Sequence, residues 1–394
     1  ALADNPVNHA ARMMMFLRNL HPRYNKHIRR NFKLQKIDLK NKTILVTGSA
    51  GFIGNNLILS LLRAQAPINI VGLDNMNDYY DVRIKEWRLS KIDKYVTEHP
   101  DCKYNFYKGD LADKAIVDSI FETHKPAIVV HLGAQAGVRY SITNPDAYVY
   151  SNLIGFYNIL EACRHSYDNS AVGVQHLVYA SSSSVYGSNK KIPYTTEDKT
   201  DNPVSLYAAT KKSNELMAHA YCKLYNIPAT GLRFFTVYGP AGRPDMAYFN
   251  FTNKLLKGET IQLFNYGNCK RDFTYVDDIV ESIIRVMQGA PEKKKDENGF
   301  SMPPYAVYNI GNNNPESLLN FVDILQQELI RAKVLPADYD FENHKELVAM
   351  QPGDVAITYA DISAFERDFG FKPSTSLRTG LRQFAEWYKR FYSI

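Results

Sequence analysis

Cysteine is scarce: Cys102, Cys163, Cys222 and Cys269 are the four in 394 residues, and no two form a C-x-x-C pair. Scattered single thiols exclude a disulfide framework and a cysteine-clustered zinc site, so no metal is expected; they fit reduced, mostly buried side chains. Long apolar runs are missing too. The longest within the first 40 residues is Met13 to Leu17, too short for a signal-peptide core, and no stretch approaches a bilayer span. A cytoplasmic protein without a transmembrane segment is expected. The body also lacks an excess of one charge: residues 1–40 carry nine Lys/Arg and two Asp, whereas the remainder carries 38 basic and 39 acidic residues. That balance argues against a nucleic-acid surface and leaves residues 1–40 as a basic N-terminal extension. The extension is expected to be an arm packed on the body or partly disordered, with binding to an anionic surface or partner as the alternative. No G-x-S-x-G surrounds the serines at 181–184, which removes an acyl-transfer reading. Internal repeats and low-complexity tracts are absent. The length allows one to three domains with a large core.

What is present centres on Lys42 to Asp74, KTILVTGSAGFIGNNLILSLLRAQAPINIVGLD. The apolar Ile44-Leu45-Val46 ends in Thr47-Gly48, as a buried parallel strand entering a tight turn does. Gly48, Gly51 and Gly54 follow, with Phe52 and Ile53 between them, and then Leu57, Ile58, Leu61 and Leu62 recur at helical spacing. A second apolar run ends at Asp74, 20 residues past Gly54. Small glycines let the backbone approach a pyrophosphate, the helix start offers free N–H groups, and the acid accepts hydrogen bonds from ribose hydroxyls. A bare glycine pattern is weak, but strand, glycines, helix, strand and acid in register are specific for a dinucleotide. Asp74 would repel a 2′-phosphate, so NAD is favoured over NADP.

The rhythm continues. A helical pattern over Asp81–Glu98 precedes a strand at Tyr104–Gly109 ending in Asp110-Leu111; a helix at Lys114–Thr123 leads to a strand at Ala127–Leu132. A long helix is predicted over Tyr148–Cys163, a strand from His176, a helix over Tyr207–Tyr225, and a sixth strand in ATGLRFFTVYG. Alternation of this kind gives a doubly wound parallel sheet, an α/β Rossmann-like fold with ligands at the carboxyl ends of the strands. The expected strand tips, Gly48, Asp74, Asp110, Gly133, Ser182 and Thr236, outline one cleft. Past Gly239 the elements shorten. Residues 290–304 read as a surface loop, VYNIG as a late strand of the sheet, Pro315–Lys333 and Leu377–Tyr392 as helices. The expected division is an NAD-binding domain at 41–238 and a smaller α/β substrate-binding domain at 239–394, with about 276–311 packing back on the first.

Tyr207 and Lys211 stand four apart, on one helix face. A tyrosine serves as a base only if its pKa falls from ~10 toward neutrality, which needs about 4 kcal/mol of phenolate stabilisation; a neighbouring ammonium and a positive nicotinamide supply it. Ser181 to Ser184 stand at the preceding strand end, and the Ser182 hydroxyl can relay a proton to Tyr207. The alternative is a turn whose serines only satisfy backbone groups.

TGSAGFIG, HLGAQAGVRYS, YASSSSVYG, PVSLYAATKKSNE, RFFTVYGPAGRPDMA, RDFTYVDDI and MQPGDV resemble the extended short-chain dehydrogenase/reductases that act on nucleotide sugars, over about Lys42 to Tyr392. LDNMNDYYD, Thr236 and GRPDMA with Arg243 resemble the branch of UDP-glucuronate 4-epimerases. The resemblance implies catalysis by Tyr207, Lys211 and Ser182, and NAD held also by Asn75, Asp110 and Leu111. It implies a UDP-sugar contacted by Ser182, Ser183, Ser184, Thr236, Arg243, Arg271 and Asp354. Gln351 stands where galactose epimerases have Arg, which leaves the uridine ribose to Asp354 and Arg271; the alternative for Arg271 is an ion pair with Asp277 or Asp278. A homodimer through the helices at Tyr148–Cys163 and Tyr207–Tyr225 is implied as well. A decarboxylase, or a 4-epimerase of UDP-glucose or UDP-N-acetylglucosamine, is the competing activity, and a non-catalytic NAD-sensing or scaffold protein the competing class.

Overall fold

Thr43–Thr47 (β1) is apolar on both faces, and a strand with no polar side survives only inside a sheet covered on both sides. Around it the computed structural model builds the fold, describing residues 34–64, 68–168, 173–296, 298–351 and 355–394. Most of the basic extension and Asp354 lie outside the described residues. After β1 come β2 (Asn69–Asp74), β3 (Lys103–Lys108), β4 (Ile128–His131), β5 (His176–Ser182) and β6 (Ala229–Phe234). β7 (Thr236–Tyr238), β8 (Lys270–Tyr275) and β9 (Tyr305–Ile310) follow. The main sheet is seven-stranded and wholly parallel, in the order β9-β6-β5-β4-β1-β2-β3. The order reverses between β1 and β4, so the loops after these strands diverge and leave a crevice at their carboxyl ends.

The intervening helices are α1 (Phe52–Ala64), α2 (Val82–Glu98), α3 (Lys114–His124), α4 (Gly155–His165), α5 (Leu206–Tyr225), α6 (Val276–Met287) and α7 (Leu377–Tyr392). Asp81, Asp113, Ser205 and Ser376 cap α2, α3, α5 and α7 by accepting backbone N–H bonds in the first turn. Leu45, Val71, Phe156, Leu160, Leu177 and Tyr179 lie in one fully buried cluster beneath α3, α4 and α5. α6 packs against α1 on the opposite side of the sheet.

Several expectations need correction. ATGLRFFTVYG is not one strand: β6 ends at Phe234, and Thr236 opens β7, which pairs in parallel with β8 in a separate three-stranded sheet. The tip of the main sheet is therefore Phe234, with Thr236 just beyond it. The helix through Tyr148–Cys163 carries a π-helical stretch, Val149–Ile154, where each bond spans one residue more. Pro315–Ser317 is a strand against β8, and only Leu318–Arg331 is helical. Residues 290–304 are not plain loop. Gly289–Pro291 pairs with Leu34–Lys36 at the end of the extension, and Lys294–Lys295 with Ser301–Met302. Among the described residues no helix is long and apolar enough to cross a membrane, and no group of His, Cys, Asp or Glu could hold a metal.

One ion pair fastens α5 to the sheet. Glu215 and Arg233 are each 4% exposed; Arg233 on β6 donates from Nε and Nη2 to the two carboxylate oxygens at 2.8 Å each. Ser181 Oγ of β5 donates to the same carboxylate at 2.7 Å, and Arg233 Nη1 donates at 3.0 Å to Tyr186 Oη. Tyr186 in turn donates to Asn309 Oδ1 of β9 at 2.6 Å. Removing one partner strands the other charge. Glu215→Ala is therefore expected to lower the unfolding free energy by about 3–5 kcal/mol, whereas Glu215→Met combined with Arg233→Met loses less than the single change. Urea denaturation midpoints of the three proteins check this, and a double variant weaker than Glu215→Ala would refute it.

Candidate active site

The turn after β1 is built by the loop's own crowding. Gly48 has φ +69°, and a Cβ on Gly54 would sit 2.2 Å from the Gly48 carbonyl oxygen; one on Gly51 would sit 2.8 Å from it. Glycine at 51 and 54 is thus required for the turn to close on itself, before any ligand is considered. Gly48 N–H donates to Leu73 O at 2.8 Å, tying the turn to the end of β2. Asp74 Oδ2 accepts from Ala50 N–H at 3.1 Å and Oδ1 from Met76 N–H at 2.9 Å. Each oxygen keeps a lone pair for a ribose hydroxyl. Asn75 Nδ2 donates at 3.1 Å to Asp110 Oδ2, while Ala112 N–H holds Oδ1 at 2.8 Å. The closed glycine turn, the open α1 start at Phe52–Gly54 and the half-satisfied Asp74 fit a dinucleotide.

Lys85, buried on α2, was not anticipated. It donates to the Asn77 carbonyl and side-chain oxygens at 2.8 Å each, and burial pulls its pKa down while Asp74 opposes that. Its signal was a lysine on the apolar face of an amphipathic helix.

The helix α5 brings Tyr207 and Lys211 to the tip of β5. Lys211, 2% exposed, donates from Nζ to Ala180 O at 2.9 Å, and burial brings its pKa down to about 8. Tyr207 is half-buried; burial raises its pKa, while the Ser182 hydroxyl and the Arg243 charge lower it. Ser182 Oγ also accepts from Ser184 N–H at 3.1 Å, so this serine serves both the turn and the tyrosine.

Gly48, Gly51, Phe52, Ile53, Gly54, Asp74, Asn75, Asp110, Leu111, Ser182, Ser183, Ser184, Tyr207, Lys211, Thr236, Arg243 and Arg271 all line one cavity of about 470 Å³. Arg243 does not stand free in this cavity. Its Nε and Nη2 donate to Asp245 Oδ1 and Oδ2 at 3.0 and 2.5 Å, and Tyr79 donates to Asp245 Oδ2 at 3.2 Å. Burial pushes the Tyr79 pKa up to about 12, with the Asp245 charge adding to the rise. Asp245 and Tyr79 were missed, although both lie within quoted motifs. Arg271 is not paired with Asp277 or Asp278. Its Nη1 donates to the Lys270 and Ala356 carbonyls at 3.0 and 3.1 Å, and Asp278 accepts from the Ser374 and Thr375 N–H groups.

The buried ammonium of Lys211 has a cost. Its folded-state pKa is about 8 against 10.5, so below pH 8 the folded protein carries a disfavoured charge. Between pH 8 and 10.5 the unfolded chain binds the extra proton, so stability rises with pH. Lys211→Met in cofactor-free protein is expected to be more stable than wild type at pH 7, by on the order of 3 kcal/mol less the lost Ala180 bond, with the advantage shrinking by pH 10. Thermal midpoints at the two pH values test this; a variant less stable at both would contradict it.

Residues 44–311 match the model of the NAD dependent epimerase/dehydratase family. Protein CapI of Staphylococcus aureus is 47% identical over 355 residues, covering 89% of this chain and 99% of that protein. UDP-glucuronate 4-epimerase 4 of Arabidopsis thaliana is 42% identical over 382 residues, covering 94% of this chain and 81% of that protein. The crystal structure of UDP-glucuronic acid 4-epimerase from Bacillus cereus, in complex with UDP-glucuronic acid and NAD, superposes with a TM-score of 0.73 at 29% identity, covering 89% of this chain and 100% of that one. With a glycine turn, an acid at the end of β2 and a Tyr–Lys pair in one cavity, and a family match over most of its length, the chain belongs to the NAD dependent epimerase/dehydratase family.

Proposed function

We propose that this protein interconverts UDP-glucuronate and UDP-galacturonate by 4-epimerisation. The observation that carries the reading is a row of hydroxyls, Ser182, Ser183, Ser184 and Thr236, in the same cavity as Tyr207 and Lys211. A sugar that turns over during catalysis needs its carboxylate anchored while the ring moves. Because Asp245 occupies one edge of the Arg243 guanidinium, hydroxyl and backbone donors carry more of that anchoring. Arg243 adds a remaining N–H edge and a partly neutralised charge. An anchored carboxylate also resists decarboxylation, since its bond to the ring is kept from lying perpendicular to the keto plane.

When bound, NAD supplies the hydride acceptor and donor and a positive ring beside the sugar. Tyr207, held neutral by burial in the protein alone, becomes the base when Lys211 and that positive charge stabilise its phenolate. It would take the proton of the 4-hydroxyl, with Ser182 holding the same oxygen, and give it back to the 4-keto oxygen once the sugar has turned over. Lys211 fixes the helix register through Ala180 and favours the phenolate by its charge.

Incubating the purified protein with UDP-glucuronate, without added cofactor, is expected to yield UDP-galacturonate. Tyr207→Phe should lose nearly all turnover while retaining NAD(H), and Thr236→Ala should impair UDP-glucuronate far more than any UDP-glucose use. Loss of one charge-assisted hydrogen bond costs about 10- to 150-fold in affinity. Equal losses on both sugars would remove the basis of the uronate assignment, and a pentose product with carbon dioxide would favour a decarboxylase.

The same reading includes a homodimer. What supports this is that Tyr150, Leu216 and Leu224, on the π-helical stretch and on the α5 helix packed against it, are 61%, 60% and 67% exposed. Light scattering should give twice the 44.9 kDa chain mass, and Leu216→Glu with Leu224→Glu should give the single chain. A wild-type monomer at micromolar concentration would defeat this part.

A further inference from the structure

We infer that Arg88 is a positioning residue that couples the cofactor turn to the substrate loop. It lies on α2 with 0% exposure, and among the described residues no carboxylate pairs with it. Its five N–H groups are all used instead. Nε and Nη2 donate to the Ala241 carbonyl at 3.0 and 2.6 Å, and Nη2 also to Gly242 O at 3.1 Å. Nη1 donates to Ala50 O at 2.9 Å and to Tyr80 Oη at 2.6 Å.

The carbonyl acceptors come from two segments far apart in sequence. Ala50 is in the glycine turn between β1 and α1, and its own N–H is held by Asp74. Ala241 and Gly242 immediately precede Arg243. Ala241 has φ +52°, a left-handed conformation that is strained for a residue with a side chain. Two guanidinium bonds to its carbonyl offset that strain and fix the direction in which the next residues leave. A planar fork with donors on three sides can bridge the two segments at once; a lysine, with donors at a single point, cannot.

The chemistry of the arrangement follows. A buried cation facing only carbonyl dipoles and a phenol is stable while both loops present their carbonyls to it. If occupancy of the dinucleotide site orders the turn at Ala50, Arg88 is held, and the loop at 239–246 is held with it. Filling the cofactor side therefore pre-forms the side that carries Arg243. This inference rests on the family's dinucleotide site and on the proposed sugar site, and deepens both.

The test is hydrogen exchange on the whole protein, first stripped of bound cofactor and then with NADH restored, for wild type, Arg88→Lys and Tyr80→Phe. Wild-type amides over 239–246 are expected to exchange at least ten-fold more slowly with NADH. In Arg88→Lys they should exchange fast and no longer respond to NADH, with β4 and β5 unchanged; Tyr80→Phe should show an intermediate response. In parallel, Arg88→Lys should raise the KM for UDP-glucuronate at least ten-fold with kcat reduced less than three-fold. A 239–246 loop in Arg88→Lys that responds to NADH as in wild type overturns the inference, as does faster exchange spread evenly through the sheet. If Arg88→Lys does not fold, a wild-type response in Tyr80→Phe overturns it alone. If wild-type protein fails to turn over UDP-glucuronate, the sugar assignment falls, while the exchange result still decides the coupling.

Discussion

The position of α5 against β5 is the constraint on which the site depends. Tyr207 and Lys211 share a helix, Ser182 ends a strand, and no covalent link sets their distance. The bidentate pair between Glu215 and Arg233, with Ser181 on the same carboxylate, fixes the helix one and two turns beyond Lys211 and Tyr207. Because both charges are buried, any slip of the helix would leave one unpaired, at a cost far above the thermal energy. Lys211 adds a second fixing point at Ala180 O. The polar network between α5 and the sheet and the side chains at the sheet's carboxyl edge are thus one mechanical unit.

The site also places charge where it is unfavourable in the protein alone. Burial lowers the pKa of Lys211 to about 8 and raises that of Tyr207, both toward the neutral form. In the proposed reaction, a base and its supporting ammonium that are disfavoured without a positive ligand are prepared for chemistry that begins when that ligand is present. The same logic operates at Arg243, whose fork is shared with Asp245 and, through it, Tyr79. Three side chains from two loops hold one charge in a graded balance.

Local sequence determined the β1–α1–β2 unit, because a strand buried on both faces, a turn crowded enough to need glycines and an acid at the next strand end leave few conformations open. It also determined the order of strands and helices, since residue periodicity of two or 3.6 is a local property. The cleft residues were legible for the same reason: a parallel sheet collects its strand ends on one edge, so residues far apart in sequence become neighbours without any pair being predicted. The break after Phe234 was not legible, because Phe235 continues an apolar run and only pairing with β8 turns Thr236 into another sheet. Nor was the partner of Arg243. A bidentate contact with Asp245 depends on loop geometry set by the left-handed Ala241, and the strain there is held by Arg88, 153 residues earlier in the chain. Hydrogen bonds between side chains and distant carbonyls leave no periodic trace in sequence. Sequence by itself therefore determined the fold class and the side chains gathered at the cleft, while tertiary structure decided which charges are shared, which are buried and which distant loops one side chain joins.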